Sequence, residues 1–417
     1  MNINRLFVIS LVLLSGVAGQ NYAPGLAIAS ARADSHCAGS GTWTNPDDGS
    51  KISPQNVIAD MAARSVVLLG ERHEVSEQHR WQLHTLAALH GYVPNLAIGV
   101  EMLPRSAQPA LDRWSDGALS VAELLVQTDW ANAWGFDPGP YLPIFQFARQ
   151  NHLPMIALNV DRAVIARIGT EGLASVPVDE REGVGDPAPA SDGYRAMLAQ
   201  VFAVKARMHG GAEYDDAIDR APSDAERREI EADPGFAHFV AAQQTWDRAM
   251  AEAIAARLDA GQDAPRLVVA MVGRGHAEHG YGIPHQLAAL GVADVGVLLA
   301  DGAPCEPAEA GIADAIFALG DWRAAQPGRP RLGVMIETAE AGVTIRQVVA
   351  ESVAETTGLA VGDVVVEAAG VPVADTGELI AIVKRQSPGT WLPLVVRRDQ
   401  QRLEMVAKFP SIFLGPP

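Results

Sequence analysis

Val66-Val67-Leu68-Leu69-Gly70-Glu71-Arg72-His73 decides how the rest of the chain is read. A continuous apolar run of this kind reads as a strand buried on both faces of a parallel sheet. The run stops at Gly70, and ionisable side chains follow at once. In open α/β sheets, ligands bind in the crevice beyond the carboxyl ends of the strands. Glu71 and His73 are therefore expected at the mouth of a sheet.

The same pattern recurs along the chain. Strands are expected at Ser65 to Leu69, Leu96 to Val100, Pro154 to Leu158, Leu267 to Val272 and Val295 to Leu299, the last of the series. The second ends at Glu101-Met102, the third at Asn159 and the fourth at Gly273-Arg274-Gly275-His276. Helical stretches separate them: Pro54 to Arg64 with Ser53 as N-cap, Glu77 to His90, and most of the tryptophan-rich segment 105–150. Strands alternating with helices indicate an α/β fold with a parallel sheet flanked by helices. A long insert, about 178–258, separates the third and fourth strands. It holds a helix at Tyr194 to His209, an acidic stretch from Glu213 to Asp233 and a helix at Phe236 to Leu258. An insert of this size is expected to cap the sheet or cover its mouth. Residues 34–54 read as a loose arm.

Glu71, His73, Glu101 and His276 come from three strand ends. Imidazoles and carboxylates are the right ligands for a divalent metal. They serve general acid–base chemistry equally well, and a closed polar cluster is the bland alternative. Asn159, His79 and Arg274 are expected to support the pocket. His73-Glu74-Val75-Ser76-Glu77 falls short of the zinc-protease helix, because Glu77 stands where the second histidine belongs. Glu278 likewise replaces the third glycine of a dinucleotide fingerprint after Gly273-Arg274-Gly275, and its charge would repel a pyrophosphate.

The 417 residues exceed one typical domain, and 48% hydrophobic with 20% charged residues is an ordinary globular balance. A net charge of −18 argues against nucleic acid and anionic membrane surfaces as partners. Residues 1–33 read as an export signal: Arg5, then the apolar stretch Leu6 to Ala18, then Ala31-Arg32-Ala33 before Asp34. The apolar stretch is short for a bilayer span. The expected location is the periplasm, without a lipid anchor, since Ser35-His36 before Cys37 is not a lipoprotein pattern. Cys37 and Cys305 are the only cysteines and could pair in an oxidising compartment.

Residues 323–330 read as a linker, after which the chain changes character. Short strands separated by glycines follow, at Val343 to Val349, Val364 to Glu367 and Leu392 to Arg397, with one helix from about Thr376 to Lys384.

Two resemblances organise these observations. Leu69-Gly70-Glu71-x-His73, Val100-Glu101-Met102, Trp130-x-x-x-Trp134, Ala157-Leu158-Asn159, Gln244-x-Trp246-Asp247-x-x-Met250-Ala251 and Gly273-x-Gly275-His276 together resemble the ChaN-like haem-binding uptake proteins of the Tiki superfamily. The resemblance covers about 55–300, within a domain placed at 55–322. It implies an exported α/β protein tied to haem or iron acquisition. Arg331-Leu332-Gly333-Val334, Gly358-Leu359-x-x-Gly362-Asp363-x-Val365 and Gly370-Val371-Pro372-Val373 resemble a bacterial, permuted PDZ domain, a small β-barrel-like unit at 331–410. That resemblance implies a peptide or protein C-terminus as partner, added as a strand beside Leu332, Gly333 and Val334.

Haem needs an apolar slot, an axial ligand and commonly cations for its propionates. Tyr194, Met208, His209 and Tyr214 are the candidate ligands, and Lys205 and Arg207 the candidate cations. A homodimer whose copies each offer one ligand is compatible with this set. The Met197 to Met208 stripe has a rival reading as a core-facing helix. The expected function is haem binding for iron uptake or handling. The alternative is a metal-dependent hydrolase or peptidase built on Glu71, His73, Glu101 and His276.

Overall fold

The computed structural model describes residues 39–209, 221–302, 308–320, 330–339, 342–387, 389–399 and 401–410. The side chains of Met208 and His209, all of Tyr214, both cysteines and residues 1–38 lie outside the described residues. The expected export signal, the Cys37–Cys305 pairing and three of the four candidate haem ligands fall there. The chain divides into two units at Gly320.

The first unit is built on an eight-stranded sheet. Its strands are β1 Trp43–Thr44, β2 Lys51–Ile52, β3 Val66–Glu71, β4 Leu96–Pro104, β5 Met155–Asn159, β6 Leu267–Gly273, β7 Val295–Asp301 and β8 Ala315–Ala318. They lie in the order β2-β1-β8-β7-β3-β6-β4-β5. The six strands β3 to β8 pair in parallel, while β1 runs antiparallel to both β8 and β2. Two expectations are corrected here. The segment 39–52 is no loose arm, because β1 and β2 extend the sheet edge. The series also does not end at Leu299: β8 follows, too short and too alanine-rich to stand out as a strand.

Period-two alternation sorts the strand side chains between two cores. Val67, Leu69, Ile98, Val100 and Met271 face a layer that includes Trp81, Leu86, Trp114 and Phe145. Val66, Leu68, Val268, Ala270 and Val272 face the other, with Ile168, Met250, Ile254 and Leu287. Trp114 is fully buried, and its indole N–H donates to the Phe145 carbonyl at 2.8 Å. The central strands therefore read as unbroken apolar runs because both faces are covered.

The helix Pro234–Leu258 begins at an Asp233 cap with proline in its first turn. Its second half buries Ala249, Met250, Ala251 and Ile254 against the sheet. The insert, expected to cap the sheet or cover its mouth, contributes this helix as one of the flanking layers. The helix Asp192–His209 packs elsewhere, in a small core of Tyr194, Leu198, Ala199 and Val201 with Phe236 and Val240.

The second unit is a sheet in the order β14-β13-β11-β10-β9, with β12 paired to β11. Its strands are β9 Val334–Ala339, β10 Gly342–Val348, β11 Val364–Ala368, β12 Val371–Pro372, β13 Trp391–Arg398 and β14 Gln401–Lys408. All pairings are antiparallel, around a core including Val343, Ile345, Val365, Leu379, Leu394 and Val396.

Candidate functional site

Strand order brings β6 between β3 and β4, so three carboxyl ends from distant sequence lie side by side. Beyond Val100 the β4–β5 register shifts, and β4 pairs with β6 only as far as Val100 and Met271. Such an irregularity bends the strand and re-aims a side chain. Glu101 sits there, and its carboxylate Oε2 accepts the backbone N–H of Gly273. Gly273 leaves the space this needs: a Cβ there would lie 3.0 Å from His73 Cε1 and 3.5 Å from Glu101 Oε2.

Two carboxylate–imidazole pairs form. His73 Nδ1 meets Glu71 Oε1. His276 Nδ1 meets Asp247 Oδ1 at 2.6 Å, and Tyr194 donates its hydroxyl to Asp247 Oδ2 at 2.5 Å. Because an ionised carboxylate only accepts, the proton of each pair is placed on the histidine Nδ1. His276 Nε2 lies 3.7 Å from Glu101 Oε1, beyond hydrogen-bond length. Glu71, Glu101, Asp247 and His276 are no more than 3% exposed, and His73 is 7% exposed. Glu71 Oε2 and Glu101 Oε1 are buried without a hydrogen-bond partner. So are the indole nitrogens of Trp134 and Trp246, whose rings lie 4.6 Å from His73 and 5.3 Å from His276.

Burial opposes charge on both histidines, but their neighbours outweigh it. Glu71 and Glu101 raise the pKa of His73, and Asp247 and Glu101 raise that of His276. Burial pushes the Asp247 carboxyl up despite His276. It also pushes the Tyr194 hydroxyl well above its ordinary value, and Asp247 adds to the effect.

The supporting residues divide. His79 is buried, with Nε2 at 3.1 Å from the His73 carbonyl and 3.8 Å from Glu71 Oε2. Tyr141 donates to the same carbonyl at 3.2 Å. Asn159 donates to the Glu101 carbonyl at 3.1 Å. Arg274 is buried but engaged elsewhere, with Glu278 and with Asp301 at 2.9 Å, and Arg72 joins Asp301 at 3.1 Å.

The geometry gives the metal expectation no support. Among the described residues, no group of three or more His, Cys, Asp or Glu side chains is placed to hold an ion. Glu71 Oε1 is taken by His73 and Glu101 Oε2 by a backbone N–H. Haem does not fit the cluster either: its donors are buried, and carboxylates would oppose propionates. Tyr194, expected as a haem ligand, instead holds Asp247. Lys205 is half-buried with its ammonium 4.6 Å from the Phe239 ring.

Sequence reasoning assigns Asp247 no role of its own, although it stands between Trp246 and Met250. An acid on the buried stripe Val240, Asp247, Met250, Ile254 is the signal, since a lone buried carboxylate is costly without a partner.

In the second unit β9 is the last strand of the described sheet. Gly333 precedes it with φ +80°, and an added Cβ would collide with Ser352. The Leu332 carbonyl accepts from Ala354 N at 2.7 Å and the Gly333 carbonyl from Val349 N at 2.9 Å. These bonds fix the loop that Leu332, Gly333 and Val334 were expected to form. Thr338 Oγ1 accepts the first N–H of the helix Thr376–Lys384 at 3.0 Å, fastening that helix beside β9.

Residues 57–287 match the family described as haem-binding uptake, Tiki superfamily, ChaN, and residues 330–408 match the PDZ domain. No curated protein matches the chain. Among solved structures, ChaN of Campylobacter jejuni with cofacially bound haem aligns at 17% identity and TM-score 0.47, covering 66% of this chain and 95% of that one. The HtrA3 PDZ domain bound to a phage-derived ligand aligns at 26% identity and TM-score 0.19, covering 22% and 91%. A serine endoprotease from Yersinia pestis aligns at 22% identity and TM-score 0.20, covering 21% and 31%.

Proposed function

Because the chain belongs to the ChaN-like haem-binding family of the Tiki superfamily and carries a PDZ domain, we propose that it binds haem outside its buried strand-end cluster and handles it for iron uptake after export. The observation that carries this reading is the family match, which spans more than half of the chain. With Tyr194 engaged by Asp247, the ligand is assigned to Met208, His209 or Tyr214 on the helical insert, with Lys205 and Arg207 nearby in sequence for the propionates. Two copies could share one haem, each supplying one ligand. Among the described residues no helix is long and apolar enough to cross a membrane.

The PDZ domain is assigned a peptide or protein C-terminus, laid beside β9 with its carboxylate at Leu332, Gly333 and Val334. Its role in this reading is to bring a donor or acceptor of haem to the chain.

Haem titration of the chain lacking residues 1–33 tests the reading. A Soret band that saturates at low micromolar haem is expected. It should shift or vanish in Tyr214→Phe or His209→Ala and persist in His73→Gln. A band lost in His73→Gln but kept in both insert variants would move the haem to the strand ends and end this assignment.

A further inference from the structure

We infer that two copies of the chain pair through the free edge of β14, joining their PDZ units as an antiparallel two-fold dimer. This goes beyond haem binding and needs no haem.

β14 ends the described sheet on the side opposite β9. A sheet edge presents N–H and C=O groups that another strand can bond. The register of β13 decides which residues present them. The Pro393 carbonyl accepts from Ala369 N at 2.9 Å, on the β11 side and away from β14. Pro393 and its partner Val406 are therefore a non-hydrogen-bonded pair of the β13–β14 ladder. Val406 turns its own N–H and C=O outward, and alternation gives Glu404 and Lys408 the same direction. Phe409 N donates to the Thr390 carbonyl at 2.9 Å, which keeps that alternation to the end of the strand. Pro410 has no N–H and closes the edge.

Side chains fix the register of the pairing. Glu404, Val406 and Lys408 share the exposed face of β14, while Leu403, Met405 and Ala407 turn toward the core. A two-fold axis at Val406 sets that residue against its own copy and sets Glu404 against Lys408 twice. Val406 is 43% exposed in one copy, so the axis covers an apolar side chain. Opposite charges directly across a ladder stabilise it, and like charges weaken it. An axis at Met405 would set Arg402 against Lys408, and one at Glu404 would set two carboxylates together. Lys408 lies over the Trp391 ring at 4.7 Å, which holds its ammonium on the same face.

The dimer leaves β9 open, because β9 lies at the other end of each described sheet. One dimer therefore offers two grooves, and a partner that presents two C-termini gains avidity. That consequence rests on the peptide reading of β9; the dimer itself does not.

The test is sedimentation equilibrium of the haem-free whole chain lacking residues 1–33. A monomer–dimer equilibrium is expected at about 1–100 μM chain. Val406→Glu sets like charges on the axis and should weaken dimerisation about tenfold or more. Lys408→Glu and Glu404→Lys should each weaken it about tenfold, and the two together should restore it to within about threefold. Far-UV circular dichroism checks folding; if Val406→Glu fails to fold, the charge exchange decides alone. A monomer at every concentration up to about 500 μM overturns the proposal. So do equal constants in wild type and the single variants, or no recovery in the exchanged pair. A dimer that forms only with haem and ignores these changes belongs to the haem reading and overturns this one. A haem-free dimer rescued by the exchange, with no Soret band on adding haem, removes the haem reading alone.

Discussion

The two units present chemistry in opposite ways. At the sheet mouth the clustered polar atoms belong to buried side chains, which come from residues 71, 73, 101, 194, 247 and 276. In the PDZ unit the proposed recognition surface is backbone, contained within a few residues around Gly333 and β9. A side-chain site of the first kind depends on strand order and on partners from distant elements. A backbone site of the second kind needs a sheet edge and one glycine in the left-handed region. The first is therefore expected to be fragile to single substitutions, and the second to tolerate most of them.

The sharpest way to break that contrast is to remove one buried acid from each unit. Asp247→Leu leaves His276 and Tyr194 facing an apolar group, and a loss of about 3–5 kcal/mol is expected in denaturant unfolding. Asp363→Asn in the PDZ unit weakens a clamp on Arg398, whose side chain is 36% exposed. Water can take up that guanidinium, so roughly 1 kcal/mol is expected. Equal losses would mean the strand-end pair is no more dependent on its partner than a rim pair.

A glycine test runs the other way. Gly333→Ala forces a side chain into φ +80° and against Ser352, with an expected cost of about 1–3 kcal/mol and loss of C-terminal peptide binding by calorimetry. Met335→Ala, on a 59% exposed side chain, should leave peptide affinity within twofold. Binding by Gly333→Ala at wild-type affinity would remove the loop from the groove.

The smallest effect is on acid stability. Burial alone would raise the pKa of Asp301, but Arg274 and Arg72 outweigh it and hold it well below the ordinary 3.8. For Asp363 burial is likewise outweighed, by its bonds from Arg398 and Ala360 N. A depressed carboxylate adds stability that is present above the unfolded value and lost as pH falls through the folded one. Each unit should thus weaken below about pH 4, the first more, because two guanidiniums hold Asp301. Asp301→Asn should flatten that slope in pH-dependent urea unfolding, and an unchanged slope would rule out the clamp as its source.

The parallel core was legible because its strands are continuous apolar runs ending in Gly70-Glu71, Glu101 and Gly273-Arg274. The edge was not, since β1, β2 and β8 are two to four residues long and carry little pattern. The site was half legible. Glu71, His73, Glu101 and His276 stood at strand ends, where topology places chemistry. Asp247 lies inside a 25-residue helix, and Tyr194 on the insert reads as a candidate haem ligand rather than a buried donor. Helical periodicity marks which face is buried, but it does not say which polar group waits there.

By itself, the sequence determined the alternation of strands and helices, the glycine-bounded strand ends and the change of character after the linker, because these are local patterns of apolar spacing and turn chemistry. Only the tertiary structure decided that β6 enters between β3 and β4, that the β4 irregularity turns Glu101 onto Gly273, and that Tyr194 reaches Asp247 behind His276. Those outcomes depend on which buried polar group finds a partner across elements more than fifty residues apart, and the energy of such a pairing exists only once both partners have left water together.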